Sequence, residues 1–304
     1  MKAKKLIISL VIILLIFILT QNVSANPSSS INMKKIKGYT EYEIGGNDYG
    51  FTSLLEFPLD HNFIGGTISF RKNYIYKLSL YTNLTEKAGK MKDSDWIYDY
   101  GDEGKDIYSE SDSYLKKSYI FNFEVINRLK NNNINIRAKS GYKTQYFDYL
   151  IKDGIQYGGI TSTGRYIPKD FVFELSGDLL EYTIYYEIPY LGFDFIHEKQ
   201  KLFIKFAFDY SPYVKAYDRD DHLLRNKISY SETQGNYYNI NSNLQYNIKK
   251  NVRITTSFNY LFIETRGLQK QYKYGGETKE FIGSVNNTIK TEQSSITLGM
   301  KIDF

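Results

Sequence analysis

The stretch Leu202-Phe203-Ile204-Lys205-Phe206-Ala207-Phe208-Asp209-Tyr210 alternates between two sets of side chains. Every second residue is large and apolar, whereas Lys205 and Asp209 belong to the other set. Successive side chains of a β-strand point to opposite faces, so this period of two predicts a strand with one apolar and one mixed face. The same alternation recurs at residues 238–246, 252–262 and 296–304, where Asn, Thr, Ser and Gln are frequent in the second set.

Ten such segments are predicted along the chain, the third of them with a bend. They lie near residues 35–45, 50–60, 63–84, 114–129, 134–149, 178–196, 201–217, 228–247, 252–266 and 290–304. Short polar links at 59–62, 130–133, 197–200 and 249–251 alternate with longer links at 85–113, 150–177, 218–227 and 267–289. Short turns on one rim, long loops on the other and a polar inner face are typical of an outer-membrane barrel.

The predicted fold class is therefore all-β: a ten-stranded antiparallel transmembrane β-barrel with long extracellular loops. Closing the sheet into a ring removes the exposed strand edges that would otherwise aggregate. The chain ends on Phe304, which belongs to the apolar, outward set. The alternative is a soluble all-β protein, which would have to bury the Asn, Thr, Lys, Asp and Gln side chains of the inner face.

The first 25 residues have the pattern of a secretory signal peptide. Lys2, Lys4 and Lys5 precede an apolar run at residues 6–19, and Val23-Ser24-Ala25 offers small residues for cleavage. A membrane anchor is the competing interpretation, but a bilayer-spanning helix needs about 20 apolar residues. The predicted organisation is a signal peptide at 1–25 and an outer-membrane barrel domain at 26–304, located in the cell outer membrane.

Composition limits the function classes. The 304 residues contain no cysteine, which removes disulfides and thiol catalysis. The formal net charge is +5, with 39 basic and 34 acidic residues. Without the three lysines of the leader, 36 basic residues remain and the net charge is near +2. A balance this close to neutral argues against a general nucleic-acid-binding protein.

Two acidic stretches are the candidate site, Asp93-Ser94-Asp95-Trp96 and Asp218-Arg219-Asp220-Asp221-His222. The chain has three histidines, and only His222 lies in a longer link with a carboxylate two residues before it. Around a ring of ten strands, links 85–113 and 218–227 fall four strands apart, nearly opposite each other. Asp93 and Asp95 are therefore predicted to face Asp220 and His222 across the mouth, with a water between them. The alternative is a pair of solvated loops.

These stretches resemble the omptin family, outer-membrane endoproteases with a ten-stranded barrel. The resemblance is carried by residues 91–96, by 218–222 with Arg225 and Tyr230, by Pro189-Tyr190-Leu191-Gly192, and by residues 298–304, over essentially the whole mature chain. It implies that Asp220 and His222 form a dyad that activates water. It implies that Asp93 and Asp95 position the water and the tetrahedral intermediate. Asp218 and Met91 are implied to line an acidic pocket for a basic side chain.

The resemblance leaves two points open. The second acid of that pocket comes from the end of the first strand, where Glu41 and Glu43 share a face; Glu41 is preferred. The family's lipopolysaccharide contacts correspond here to Thr144, Tyr146 and Tyr185, so dependence on that lipid stays open, although outer-membrane lipid is an expected partner. Trp96, the one tryptophan, either walls the site or belongs to an interfacial aromatic belt.

Substrate preference has support of its own. Residues 93–112 hold eight acids against one base, Lys105, and an acidic rim attracts cationic peptides. A merely soluble loop, or a calcium site, would also be acidic. No phosphate-binding loop, Ser-centred nucleophile or zinc motif is present, so neither a cofactor nor a metal is expected. The predicted function is an outer-membrane endopeptidase acting on basic peptides or proteins at the cell surface. The alternative is a catalytically silent barrel that acts as an adhesin or small porin.

Overall fold

The computed structural model describes residues 26–97, 106–129, 135–161, 164–275 and 278–304. The signal peptide predicted at 1–25 lies outside these residues. The strands are β1 (Asn26–Gly46), β2 (Phe51–Arg71), β3 (Ile75–Asn83), β4 (Lys87–Ile97), β5 (Ile107–Leu129), β6 (Asn135–Ile160), β7 (Tyr166–Lys199), β8 (Leu202–His222), β9 (Lys227–Lys249), β10 (Val252–Gly275) and β11 (Thr278–Asp303). Within these residues, two single-turn 3-10 helices, Asn47–Tyr49 and Leu223–Arg225, lie in hairpins. No helix among the described residues is long and apolar enough to cross a membrane.

The strands form one closed antiparallel sheet. From β5 onward each strand pairs with the next, β11 pairs with β1, and β1 pairs with β2. β3 and β4 together occupy one position, because both lie between β2 and β5: β3 pairs with the 63–71 half of β2 and β4 with the 51–56 half. The described strands therefore fill ten positions around the ring, and the predicted ten-stranded barrel is confirmed.

Alternation separates an apolar outer surface from a polar interior. Phe206, Phe208 and Leu298 point outward and are 58, 44 and 59% exposed. Inside the ring at the same level, the Lys139 ammonium lies 3.0 Å from Asp194 Oδ1 and 2.7 Å from Asp209 Oδ1. Apolar side chains that stay exposed all around a closed sheet form the belt that faces lipid, and the buried ion pairs fill the lumen.

Beyond the belt the strands continue, and here the sequence prediction of loop lengths was wrong. Most of links 85–113, 150–177, 218–227 and 267–289 is strand; β7 alone extends over 34 residues, Tyr166–Lys199. Outside the lipid belt the outer face meets water, so its side chains need not be apolar. The period of two then fades from the sequence while the backbone pairing persists.

The turn predicted at residues 59–62 was also wrong. β2 runs without a break through this segment, and its hairpin with β3 lies at residues 72–74. His61 is fully buried in the interior, and its Nδ1 lies 3.1 Å from the Thr85 carbonyl oxygen. Polar side chains that point into a barrel produce the same cluster of polar letters as a turn, and a sequence alone does not separate the two cases.

One irregularity in β8 determines where its far end points. Between Ser211 and Val214 the register with β9 shifts, because two residues of β8, Pro212 and Tyr213, lie opposite one residue of β9, Asn236. This is a β-bulge, and the extra residue exchanges the two faces of the strand. Before the bulge the odd-numbered Ala207 and Asp209 face inward; after it, the even-numbered Val214, Ala216 and Asp218 are the buried ones.

Candidate active site

Asp220 and His222 lie at the end of β8, just before the β8–β9 hairpin. They lie on β8 itself and not in a loop, as do Asp93 and Asp95 on β4, so the loop placement predicted for both pairs was wrong. Because of the bulge, the side chains of Asp218, Asp220 and His222 share the inner face of the sheet. Tyr210 of β8 lies in the apolar belt, and Asp220 follows it by ten residues, which is about 30 Å along a strand. This distance places the site outside the lipid-facing section.

The two residues are in direct contact. His222 Nε2 lies 2.9 Å from Asp220 Oδ2, and the hydroxyl of Tyr42 donates a hydrogen bond to the same oxygen. Asp220 is 1% exposed. Burial alone would raise the pKa of Asp220, but the charge and hydrogen bond of His222 and the Tyr42 hydroxyl hold that pKa below its usual value. Asp220 is therefore an anion that orients and stabilises the His222 imidazole.

Asp93 and Asp95 face the same cavity from β4, on the other side of the barrel interior. The cavity has a volume of about 550 Å³, and Asp93, Asp95, Asp220 and His222 all line it. Burial, and after it the charge of Asp95, raises the pKa of Asp93 to about 7. Burial likewise raises the pKa of Asp95, although a hydrogen bond from Ser53 opposes the rise. One proton on this pair near neutral pH gives a carboxyl group that can both accept and donate a hydrogen bond.

Two cations and a wall of apolar and polar side chains complete the cavity. Lys227 on β9 is the direct cross-strand partner of His222, and Arg225 lies in the hairpin between them. Burial lowers the pKa of Lys227, against the opposing charge of Asp220. The remaining wall is mixed: its apolar side chains are Ile44, Phe51, Leu55, Ile97, Ile107 and Ile160, and its polar ones are Tyr42, Ser53, Gln156, Ser229 and Gln269. Sequence reasoning did not identify Lys227, although its odd-numbered position on β9 matches the inward-facing set.

Asp218 lies behind Asp220 and does not line the cavity. Its Oδ1 accepts hydrogen bonds from the backbone N–H of Ser231 at 3.0 Å and from the Ser231 hydroxyl at 2.6 Å. Its Oδ2 lies 3.4 Å from Asn287 Nδ2. Burial raises the pKa of Asp218 to about 7, although the Ser231 hydrogen bonds oppose the rise. Met91, two residues before Asp93 on the same face, is 3% exposed and packs in the adjoining core.

The structure does not bring Glu41 or Glu43 to the site. On β1 the buried, inward residues are Thr40, Tyr42 and Ile44, so both glutamates point outward. Glu41 lies 3.6 Å from the Lys290 ammonium on the outer face. The inward position near Asp220 belongs to Tyr42, which sequence reasoning missed. The signal was present, because Tyr42 continues the alternation of Ile36 and Ile44.

Trp96 points away from the cavity, and Asp106 and Asp112 of the acidic segment make local contacts. Trp96 follows Asp95 on β4, so it points to the opposite face of the sheet, away from the cavity. Asp106 is buried and accepts a hydrogen bond from the Ile97 N–H at 2.5 Å, and Asp112 pairs with Lys90 at 2.8 Å. Asp99, Asp102, Glu103 and Lys105 of the predicted rim lie outside the described residues.

Comparisons with known proteins agree with this architecture. The sequence profile of the Omptin family matches residues 55–304. The chain is similar to the plasminogen activator of Yersinia pestis, with 23% identity over 229 residues, 74% of this chain and 71% of that protein. It is also similar to the outer membrane protease OmpP of Escherichia coli (strain K12), with 22% identity over 240 residues, 75% and 74% of the two chains. The crystal structure of the outer membrane protease OmpT from Escherichia coli superposes with a TM-score of 0.79 at 18% identity, covering 94% of this chain and all of that one.

Proposed function

Because this chain belongs to the omptin family and is an outer-membrane protease, we propose that it cleaves peptide bonds at basic residues with a water activated by Asp220 and His222. The observation that carries the proposal is the meeting of two carboxylate-containing pairs in one cavity of about 550 Å³. A catalytically silent barrel, acting as an adhesin or small porin, would have no use for both pairs.

The chemistry follows from the positions of the four side chains. His222 takes a proton from a water as the water oxygen attacks the carbonyl carbon of the scissile bond. Asp220, ionised and 2.9 Å from His222 Nε2, stabilises the imidazolium that forms. Asp93 or Asp95, carrying one proton between them, holds the water and then donates a hydrogen bond to the new oxyanion. His222 returns its proton to the leaving nitrogen as the carbon–nitrogen bond breaks.

The preference for a basic side chain rests on the carboxylates of this region. Asp93, Asp95, Asp218 and Asp220 create a negative field, which concentrates cationic peptides. Asp218 is proposed to receive the guanidinium or ammonium group, with Met91 beside its aliphatic stem. To reach Asp218, the substrate must displace the long Asn287 contact of 3.4 Å, whereas the two Ser231 hydrogen bonds can stay.

The same geometry supports an orientation in the membrane. The end of the barrel opposite the cavity carries both ends of the described sheet, since Asn26 pairs with Arg71 and Ser28 with Asp303. Termini and tight turns on one rim and extended hairpins on the other are typical of barrels whose long side faces outward. We infer that the cavity opens to the extracellular side and that residues 1–25 direct export.

Replacement of His222 by Ala tests the function. The variant should fold into a heat-modifiable barrel, and cleavage of a dibasic peptide should fall by orders of magnitude because the general base is gone. His197→Ala is the matched control, since His197 is exposed at the far end of β7. Cleavage by His222→Ala at the wild-type rate would disprove the mechanism.

A further inference from the structure

Tyr42 is placed to fix the catalytic aspartate from outside its own strand. Its hydroxyl donates a hydrogen bond to Asp220 Oδ2, the oxygen that also contacts His222 Nε2. The other oxygen of Asp220, Oδ1, is buried and has no hydrogen-bond partner among the described residues. The carboxylate is thus held at one oxygen by two side chains, and only Tyr42 comes from a different strand, β1.

The packing around Tyr42 leaves its hydroxyl little freedom. Tyr42 is fully buried, and its ring lies 5.5 Å from that of Tyr182 and 6.0 Å from that of Phe57. Tyr182 and Phe57 are themselves stacked with ring centroids 4.1 Å apart. Close-packed rings of this kind have one rotamer each. The aromatic cluster therefore aims the hydroxyl at Asp220 before any substrate binds.

The Tyr42 hydroxyl stays protonated, so it is always a hydrogen-bond donor to Asp220. Burial, and after it the charge of Asp220, raises the pKa of Tyr42 well above its usual value. Tyr42 therefore keeps its proton at every pH at which the protease would work. Asp220 accepts that proton's hydrogen bond as an anion, and a hydrogen bond to a charged acceptor is worth more than one between neutral groups.

We propose that Tyr42 is a positioning residue of the active site: it fixes Asp220, and through Asp220 the orientation of His222. This inference rests on the proposed Asp220–His222 mechanism. It assigns a role to the inward residue between Glu41 and Glu43, the two acids that the resemblance offers for the pocket, and it leaves Asp218 as the acid that can serve the basic side chain. Tyr42 has no exposed surface, so in this role it acts through Asp220 and not directly on water or substrate.

Removal of the Tyr42 hydroxyl should shift the pH–activity profile, and the direction of the shift follows from the charge of Asp220. Without the donor, the charged form of Asp220 is less stabilised, so the pKa of Asp220 rises. Asp220 must be ionised to stabilise the imidazolium, so this change moves the acid limb of the pH–activity profile to higher pH. The other charged groups that face Asp220 remain in place: Asp218 on β8, Lys227 on β9, and Asp93 and Asp95 on β4, with Arg225 in the hairpin.

The decisive experiment compares Tyr42→Phe with Tyr182→Phe. Both variants lose one hydroxyl from the same buried cluster, but the Tyr182 hydroxyl has no hydrogen-bond partner among the described residues. For Tyr42→Phe we expect kcat to fall about ten- to hundredfold with KM nearly unchanged, the loss that corresponds to one hydrogen bond to a charged group. Its acid limb should move to higher pH. Tyr182→Phe should keep the wild-type kcat and profile.

Each outcome has one meaning. Equal behaviour of the two Phe variants, or an unshifted acid limb in Tyr42→Phe, would overturn the positioning role and make Tyr42 a packing residue. The His222→Ala variant, assayed beside them, separates this failure from failure of the mechanism. If His222→Ala is inactive and Tyr42→Phe is normal, the dyad stands and the inference about Tyr42 falls. Gel heat-modifiability of all three variants establishes that folded barrels are compared.

Discussion

Asp218→Asn should remove the preference for basic side chains and spare turnover. Asn keeps the shape of Asp218 and can still accept the two Ser231 hydrogen bonds of 3.0 and 2.6 Å through its carbonyl oxygen, but it carries no charge. Pairing of a guanidinium with a largely buried carboxylate is worth about 3 kcal/mol. Displacing the 3.4 Å Asn287 contact costs about 1 kcal/mol. The remaining 2 kcal/mol or so corresponds to roughly 30-fold in kcat/KM.

The assay uses two peptides that differ only in arginine or citrulline before the scissile bond. Their ratio of kcat/KM cancels the pH dependence of the catalytic step itself, because both peptides are cleaved by the same four side chains. Burial holds the pKa of Asp218 near 7, so it is mostly neutral at pH 6 and mostly charged at pH 8. The arginine preference should therefore rise about tenfold between these pH values in the wild-type enzyme and stay flat in Asp218→Asn.

Glu41→Gln is the matched control, since it removes a carboxylate that faces the outer surface beside Lys290. It should leave the ratio unchanged at every pH. An equal loss for both peptides in Asp218→Asn would place Asp218 in the catalytic machinery. An unchanged ratio would show that the basic side chain binds elsewhere, and an altered ratio in Glu41→Gln would return that residue to the substrate pocket.

Two further predictions concern metal and stability. A chelator should leave peptide cleavage intact, because no group of three His, Cys, Asp or Glu side chains in the described ranges is arranged to hold a metal ion; loss of activity restored by calcium or zinc would contradict this. Lys139→Met should lower the free energy of unfolding in detergent by about 3–5 kcal/mol, because it leaves the buried carboxylates of Asp194 and Asp209 without their cation. The free energy would be measured by denaturant titration. A change below about 1 kcal/mol would mean that water in the lumen solvates the two carboxylates.

The barrel could be predicted from the sequence because lipid imposes a period of two on the outer face of every strand. Phe206, Phe208 and Leu298 report that constraint directly. Where the constraint ends, prediction failed in two ways. The sequence predicts loops where the strands continue beyond the belt, and it predicts a turn at the inward His61. In both cases the polar residues lie in hydrogen-bonded strands, and their sequence looks the same as that of a polar loop.

The site was only partly predictable for the same reason. A spacing of two places each of the pairs Asp93/Asp95 and Asp220/His222 on one face, and the ring brings the two faces to one cavity, as the sequence predicts. The resemblance points to Glu41 or Glu43 at the end of the first strand, whereas the alternation of β1 turns Tyr42 inward. Contacts such as the one from Tyr42 to Asp220 join residues 178 positions apart, and local patterns do not contain them.

The bulge in β8 decides whether Asp220 and His222 face the interior of the barrel. Phe206 and Phe208 of the belt occupy even-numbered positions of β8 and point outward. In an unbroken strand the other even-numbered residues, Asp218, Asp220 and His222, would point outward too. One extra residue between Ser211 and Val214 reverses that parity, and Pro212, which cannot donate to the ladder, is the sequence signal for it.

Deletion of Tyr213 should therefore abolish cleavage, because the residues beyond it either exchange faces or slide by one position against β7 and β9. Tyr213→Ala is the control: Tyr213 is 75% exposed, so this variant keeps the residue count and should keep near-normal activity. Both proteins would be refolded in detergent and assayed as heat-modifiable barrels. An active deletion variant would show that the far end of β8 finds its inward face without the extra residue, and the bulge would then have no part in placing the dyad.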